Sequence, residues 1–94
     1  MGKIIWTRSS LRDLQQIHAY ISEDSKFYAD RFVKRLVTRV DILEDFPLTG
    51  RMIPEMEDET LRELIEGNYR IFYKIEKRNG ISILRVHHAA KNIL

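Results

Sequence analysis

Asn79-Gly80 lies between two β-rich segments, Tyr69–Lys77 and Ile81–His88, and no other dipeptide in the chain constrains its folding as tightly. A two-residue hairpin loop of type I′ needs positive φ at both central positions, which Asn and Gly tolerate best. The flanking runs are rich in the β-branched and aromatic residues that suit strands. With Asn79-Gly80 as the loop, Arg78 pairs with Ile81 and the register of both strands is set. One face then carries Ile75 with Leu84, Tyr73 with Val86 and Ile71 with His88. That face is mostly apolar and is expected to meet the rest of the fold. The other carries Glu76 with Ile83, Lys74 with Arg85, Phe72 with His87 and Arg70 with Ala89. Like charges directly opposite each other are unfavourable. Local conflicts of this kind collect at functional sites. Lys74 facing Arg85, with Arg70 nearby, therefore predicts an anionic occupant, either partner carboxylates or a phosphate.

The N-terminal half has helical periodicity. Lys3–Trp6 reads as a short strand, and Ser10 with Asp13 as a capping box with Asp in place of Glu. Leu11, Leu14, Ile17, His18 and Ile21 recur at helical spacing, so the first helix is expected from Leu11 to Glu23. Asp24 and Ser25 offer a new N-cap. A second helix follows with Ala29, Phe32, Val33, Leu36, Val37, Val40 and Leu43 on one stripe, ended by Pro47 and Gly50. Two amphipathic helices joined this closely form an αα-hairpin. Pro54–Glu59 reads as an acidic loop, Leu61–Ile65 as a strand and Gly67-Asn68 as a turn. The order is β-α-α-β-β-β. The helices must bury their stripes and the sheet is the available surface. The expected fold is α+β, a helical hairpin packed on one face of a small antiparallel-dominated sheet, with residues 1–94 as a single domain.

Cysteine is absent, which excludes disulfides, cysteine metal sites and thiol nucleophiles. No glycine-rich phosphate loop and no His-Glu-x-x-His motif occurs, so neither a cofactor nor a metal site is expected. No apolar run is long enough to cross a membrane. Net charge is only +2, but it is unevenly spread. Arg51–Glu66 holds six acids against two arginines, whereas the chain from Gly67 onward holds six bases against Glu76. A basic final third favours an anionic partner. The expected partner-binding face is Arg62, Arg70, Phe72, Lys74, Arg85, His87 and Lys91. On the predicted register His88 points inward as a hydrogen-bonded structural residue. His87 points outward beside Phe72, Arg70 and Arg85, either as a surface residue or as a general acid or base on RNA. His18 belongs to the core or an interface. Trp6, Phe32, Phe46 and Tyr73 read as core, Phe72 as an outward ring for stacking, and Ile42 as a partner contact. Tyr69 fits either face.

Several of these residues recur in the order of a known family. They are Trp6, Ser10, Asp13-Leu14, Ile17 and Tyr20-Ile21, then Ala29 and Phe32, then Leu43, Phe46-Pro47 and Gly50-Arg51. Arg62-Glu63-Leu64, the Tyr69-Arg70-Ile71 and Tyr73 strand, and Val86 with His88 complete the set. In this arrangement the chain resembles the ParE branch of the RelE/ParE superfamily, toxins of type II toxin–antitoxin and plasmid-stabilisation systems. The resemblance implies a cytoplasmic protein with two helices on an antiparallel-dominated sheet. It also implies an acidic antitoxin partner that wraps the toxin. ParE-like members poison DNA gyrase by binding, with no catalytic residue of their own. RelE-like relatives instead cleave mRNA on the ribosome, and by that resemblance Arg70, His87, Arg85 and His88 would be the catalytic set. The acidic loop Glu55–Glu59 and Ala89-Ala90 depart from the RNA-cleaving pattern, so gyrase inhibition is the expected activity. A binding module without toxic activity is the third reading.

Overall fold

The computed structural model describes residues 2–90. Strand β1 (Ile4–Trp6) leads into helices α1 (Arg8–Ser22) and α2 (Lys26–Asp41). Strands β2 (Arg51–Met52), β3 (Leu61–Glu66), β4 (Tyr69–Ile75) and β5 (Ile81–His88) follow. The sheet order is β1-β5-β4-β3-β2, and every neighbouring pair is antiparallel except β1 with β5. The expected α+β architecture is therefore present, with one strand more than anticipated. β2 has only two residues, too few for any alternation to show in the sequence.

Both helices pack on one sheet face. Leu14 and Ile17 of α1 and Phe32, Leu36 and Val40 of α2 meet Leu64, Ile71, Tyr73, Ile81, Ile83 and Val86 in one core cluster. Leu43 extends the α2 stripe through a short 3-10 turn, Ile42–Glu44. Burying a side chain of leucine size contributes about 1.5–3 kcal/mol, so this cluster dominates the stability of the fold. α2 is capped as expected, with the Ser25 hydroxyl accepting from the Tyr28 N–H at 3.1 Å. α1 starts three residues before its predicted first residue, Leu11, because Thr7, not Ser10, is its N-cap. Ser10 is buried one turn in and donates to the Thr7 carbonyl at 2.8 Å. The core assignment of Phe46 fails. Phe46 is 67% exposed. His18 is half-buried and bridges the helices, its Nε2 lying 2.6 Å from Asp30 Oδ1.

The hairpin forms, but its turn and register differ from expectation. The Gly80 N–H donates to the Lys77 carbonyl, and Arg78 and Asn79 take the positive φ values. Ile75 pairs with Ile81 and Tyr73 with Ile83; then the register shifts, so that Phe72 pairs with Arg85, Ile71 with Val86, Arg70 with His87 and Tyr69 with His88. Leu84 is the extra residue of a bulge. The predicted pairs Lys74–Arg85, Phe72–His87 and Tyr73–Val86 do not occur. The physical reason is burial: this register turns both Ile81 and Ile83 into the core, where they are at most 1% exposed. The bulge then reverses the alternation so that Val86 follows them inward. An Asn-Gly turn preference is too small to outweigh two isoleucines.

Tyr73 ties the loop after α2 to the sheet. Its buried hydroxyl donates to the Pro47 carbonyl at 2.7 Å and accepts from the Gly50 N–H at 2.9 Å. Position 50 has room only for glycine, since a Cβ there would stand 2.6 Å from that hydroxyl and 2.5 Å from the Glu63 carbonyl oxygen. Tyr73→Phe removes both bonds and strands two backbone groups. It is expected to destabilise the fold by about 1–3 kcal/mol in urea unfolding, with an unchanged m-value. A loss under about 0.5 kcal/mol would mean that water satisfies both groups as well as the phenol does.

Candidate functional site

The sheet face turned away from the helices is where the sequence places its anion-binding face. Alternation along β4 sends Arg70, Phe72 and Lys74 to that side. Glu63 of β3, opposite Phe72, and His87 of β5, opposite Arg70, join them. Arg70, Phe72 and His87 come together as expected. The Arg70 guanidinium lies 4.8 Å from the centre of the Phe72 ring, and the His87 ring meets Phe72 edge-on at 5.7 Å. All three are buried, however, which was not expected. Phe72 is packed beneath Arg70 rather than offered for stacking. The two histidines keep their expected faces but not their expected exposure: His87, on the outer face, is buried, whereas His88, on the helix side, is exposed and stands edge-on to Tyr69 at 5.4 Å.

The anion for this face comes from the chain itself. Arg70 Nη1 and Nη2 donate to the two carboxylate oxygens of Glu55 at 2.9 and 2.8 Å. Arg70 Nε donates to Glu63 Oε1 at 2.6 Å, and Arg51 Nε donates to Glu63 Oε2 at 2.5 Å. Glu63 is 1% exposed, so a fully buried carboxylate is held between two arginines. The hydrogen bonds from Arg70 pull the Glu55 carboxyl down to about 2, and those from Glu55 and Glu63 raise the Arg70 guanidinium further.

Arg85 is drawn elsewhere. β1 ends at Trp6, so the edge of β5 beyond Leu84 has no neighbouring strand. Asp13 of α1 serves that edge, accepting from the Val86 N–H at 2.8 Å and from Arg85 Nε and Nη2 at 2.8 and 3.0 Å. Burial opposes ionisation of Asp13, but these hydrogen bonds outweigh it and hold the carboxyl below its ordinary value. Lys74 remains on the outer face, opposite Ser82 and Leu61. Arg62 belongs to the helix side of the sheet, donating to the Gly50 and Glu59 carbonyls. Lys91 lies outside the described residues. Within the expected partner-binding face, Arg70 and Arg85 are thus matched by Glu55, Glu63 and Asp13, and its described members do not form one exposed surface. The sequence signal for this was present in the acidic Arg51–Glu66 stretch, which reads as the complement of the basic final third.

Sequence reasoning missed a second surface. Tyr20, Phe27 and Tyr28 are 71%, 71% and 52% exposed on the helical hairpin. Phe27 and Tyr28 line a shallow depression with Arg31, Phe32, Lys34 and Arg35. It adjoins a second depression, where Tyr20, Tyr69, His88 and Asn68 surround Tyr28 and Phe32. Tyr69 packs on Phe32 at 5.3 Å and so belongs to the helix side. The signal was Phe27-Tyr28 standing off the apolar stripe among bases. Among the described residues no three His, Asp or Glu side chains could hold a metal ion together, and no helix is long and apolar enough to cross a membrane.

Comparison with known proteins gives a consistent result. The sequence pattern of the family described as "ParE toxin of type II toxin-antitoxin system, parDE" matches residues 4–93. The chain is 36% identical over 92 residues to Toxin RelE2 of Caulobacter vibrioides, covering 97% of this chain and 99% of that protein. Its fold resembles the solved chromosomal ParDE toxin–antitoxin system from P. aeruginosa, with a TM-score of 0.75 at 24% identity over 94% of this chain and 96% of that one. It also resembles the toxin–antitoxin complex RelBE2 from Mycobacterium tuberculosis, with a TM-score of 0.69 at 22% identity over 93% and 96%.

Proposed function

Since the chain belongs to the ParE toxin family of type II toxin–antitoxin systems, we propose that it acts by binding, inhibiting DNA gyrase in the cytoplasm until an acidic antitoxin neutralises it. The observation that carries this reading is the closed ion-pair network on the sheet. Cleaving RNA needs a base, an acid and cations aimed at the scissile phosphate. Here Arg70 grips Glu55 and Glu63, Arg85 grips Asp13, and His87 is buried. The catalytic set that RNA cleavage on the ribosome would use, Arg70, His87, Arg85 and His88, is not directed at a common point in solvent. The name of the Caulobacter relative, RelE2, is what supports ribosome-dependent mRNA cleavage as the second reading.

The antitoxin is assigned to the aromatic and cationic surface of the helical hairpin. Exposed aromatic rings flanked by cations suit an acidic amphipathic segment, with rings as anchors and cations at the rim. Arg31→Glu with Lys34→Glu is expected to weaken antitoxin binding about tenfold or more, chiefly through slower association. Unchanged affinity in a folded double variant would move the antitoxin to another face.

The function is tested by incubating plasmid with purified gyrase, ATP and the antitoxin-free protein. Toxin-dependent accumulation of linear plasmid is expected. A folded sample that yields none would overturn the gyrase reading and make ribosome-bound mRNA the next substrate to try.

A further inference from the structure

We propose that the loop between α2 and β2 is the surface through which the protein docks on gyrase, with Phe46 and Leu48 as its anchors. This surface assignment rests on gyrase being the target. Phe46 and Leu48 are 67% and 66% exposed, yet the loop that carries them is tightly bonded. The Phe46 N–H donates to the Ile42 carbonyl at 2.9 Å. The Phe46 carbonyl accepts from the Thr49 N–H at 3.1 Å and from the Thr49 hydroxyl at 2.6 Å. The Tyr73 hydroxyl holds the Pro47 carbonyl and the Gly50 N–H from the sheet. The backbone is thus pinned while two large apolar side chains face solvent. Both line one shallow depression, together with Asp45, Pro47 and Ile75. Ile42, expected from the sequence as a partner contact, is exposed one turn earlier. Exposed apolar groups gathered on a rigid loop mark a contact site, because they lose little freedom on binding.

Charge identifies the occupant. Among the described residues, Asp45 alone brings a charge to the lining of this depression. Asp41 and Glu44 are exposed just before it, and none of the three forms an ion pair among the described residues. Lys77 and Arg78 precede Asn79 in the hairpin turn but do not line the depression. The depression on the helical hairpin has the opposite character, with Arg31, Lys34 and Arg35 and no acid. The two lie toward opposite ends of α2, a helix of 16 residues and so about 24 Å long. An acidic antitoxin suits the cationic end and is repelled by the acidic one. An enzyme that handles duplex DNA carries lysine and arginine where it faces the phosphates. Apolar anchors with an acidic rim complement the border of such a surface. A second copy docked about a two-fold axis would instead set two acidic rims against each other.

The test is Phe46→Ser with Leu48→Ser in the full chain, in the plasmid assay with purified gyrase and ATP. The double variant is expected to need about tenfold or more protein for the same yield of linear plasmid. Its antitoxin affinity is expected to match the parent's. Ile5→Thr trims another exposed apolar side chain, on β1, and is expected to keep the parent potency. Asp45→Lys is expected to lose about threefold or more in potency at low salt, and less as salt rises. Equal potency of the parent and the folded double variant would overturn the docking surface and leave gyrase as the target. No linear plasmid from the parent would overturn gyrase as the target, and this surface assignment with it. A parallel loss of antitoxin affinity would overturn the assignment in favour of the antitoxin. Self-association of the parent that the double variant loses would overturn it in favour of a second copy. If the double variant does not fold, Asp45→Lys decides alone, because its side chain is exposed and makes no ion pair. Parent-like potency of Asp45→Lys at low salt would overturn the docking surface.

Discussion

Glu63→Ala is expected to destabilise the protein by about 3–5 kcal/mol, a large part of the whole stability of a chain this size. The Glu63 carboxylate is 1% exposed and accepts from both Arg70 and Arg51. Alanine leaves the Arg70 guanidinium under cover with only the half-exposed Glu55 to answer it. Breaking a buried pair on one side in this way is far costlier than removing both partners. Glu63→Met combined with Arg70→Met is therefore expected to recover most of the loss, since two apolar side chains then occupy the space beside Phe72. Urea unfolding of the parent, the single variant and the double variant measures this directly. If Glu63→Ala costs less than about 1 kcal/mol, the carboxylate is no more than a surface ion pair and the description of the outer face as sealed is wrong.

Asp13→Ala should have the next largest effect, about 2–4 kcal/mol, because the change leaves the Val86 N–H and the Arg85 fork without their acceptor. Asp13→Asn keeps one acceptor and should lose less. The charge dependence has a definite sign. The folded carboxyl sits below its ordinary value, so its contribution is complete above the unfolded value of about 4 and is lost as pH falls through the folded one. The stability gap between the parent and Asp13→Asn should narrow between about pH 7 and pH 2.5 in thermal melts. A gap of constant size over that range would show that the ionised carboxylate is not what closes the β5 edge.

These two sites show which parts of the protein were legible in advance. The helical stripes of Leu14, Ile17, Phe32, Leu36 and Val40 announce their burial through spacing alone. The existence of a hairpin between Tyr69 and His88 follows from β-branched runs around a turn. Alternation along β4 correctly sends Arg70 and Phe72 to the face opposite the helices, whichever register β5 adopts. The burial of His87 was not legible, because it depends on how the outer face packs around it, beginning with the Phe72 ring. Likewise, the sequence shows Glu55 as one acid in an acidic run, and nothing local says that it reaches Arg70. The Thr7 cap was missed because Ser10 and Asp13 imitate a capping box while belonging to the core and to the β5 edge.

The sequence by itself determined the helices, the longer strands, the fold class and the segregation of charge, which rest on short-range periodicity and composition that each segment displays on its own. The family followed from residues that recur in the order of a known family along the whole chain. Only the tertiary structure decided the hairpin register and the pairing of the charges. Register follows the burial of Ile81 and Ile83, which outweighs a turn preference worth a fraction of a kcal/mol. The ion pairs join residues as far apart as Asp13 and Arg85, separated by 72 positions. A carboxylate in such a pair gains its partner only when the sheet and helices are already assembled, so whether a basic residue meets a partner protein or its own chain is settled by packing.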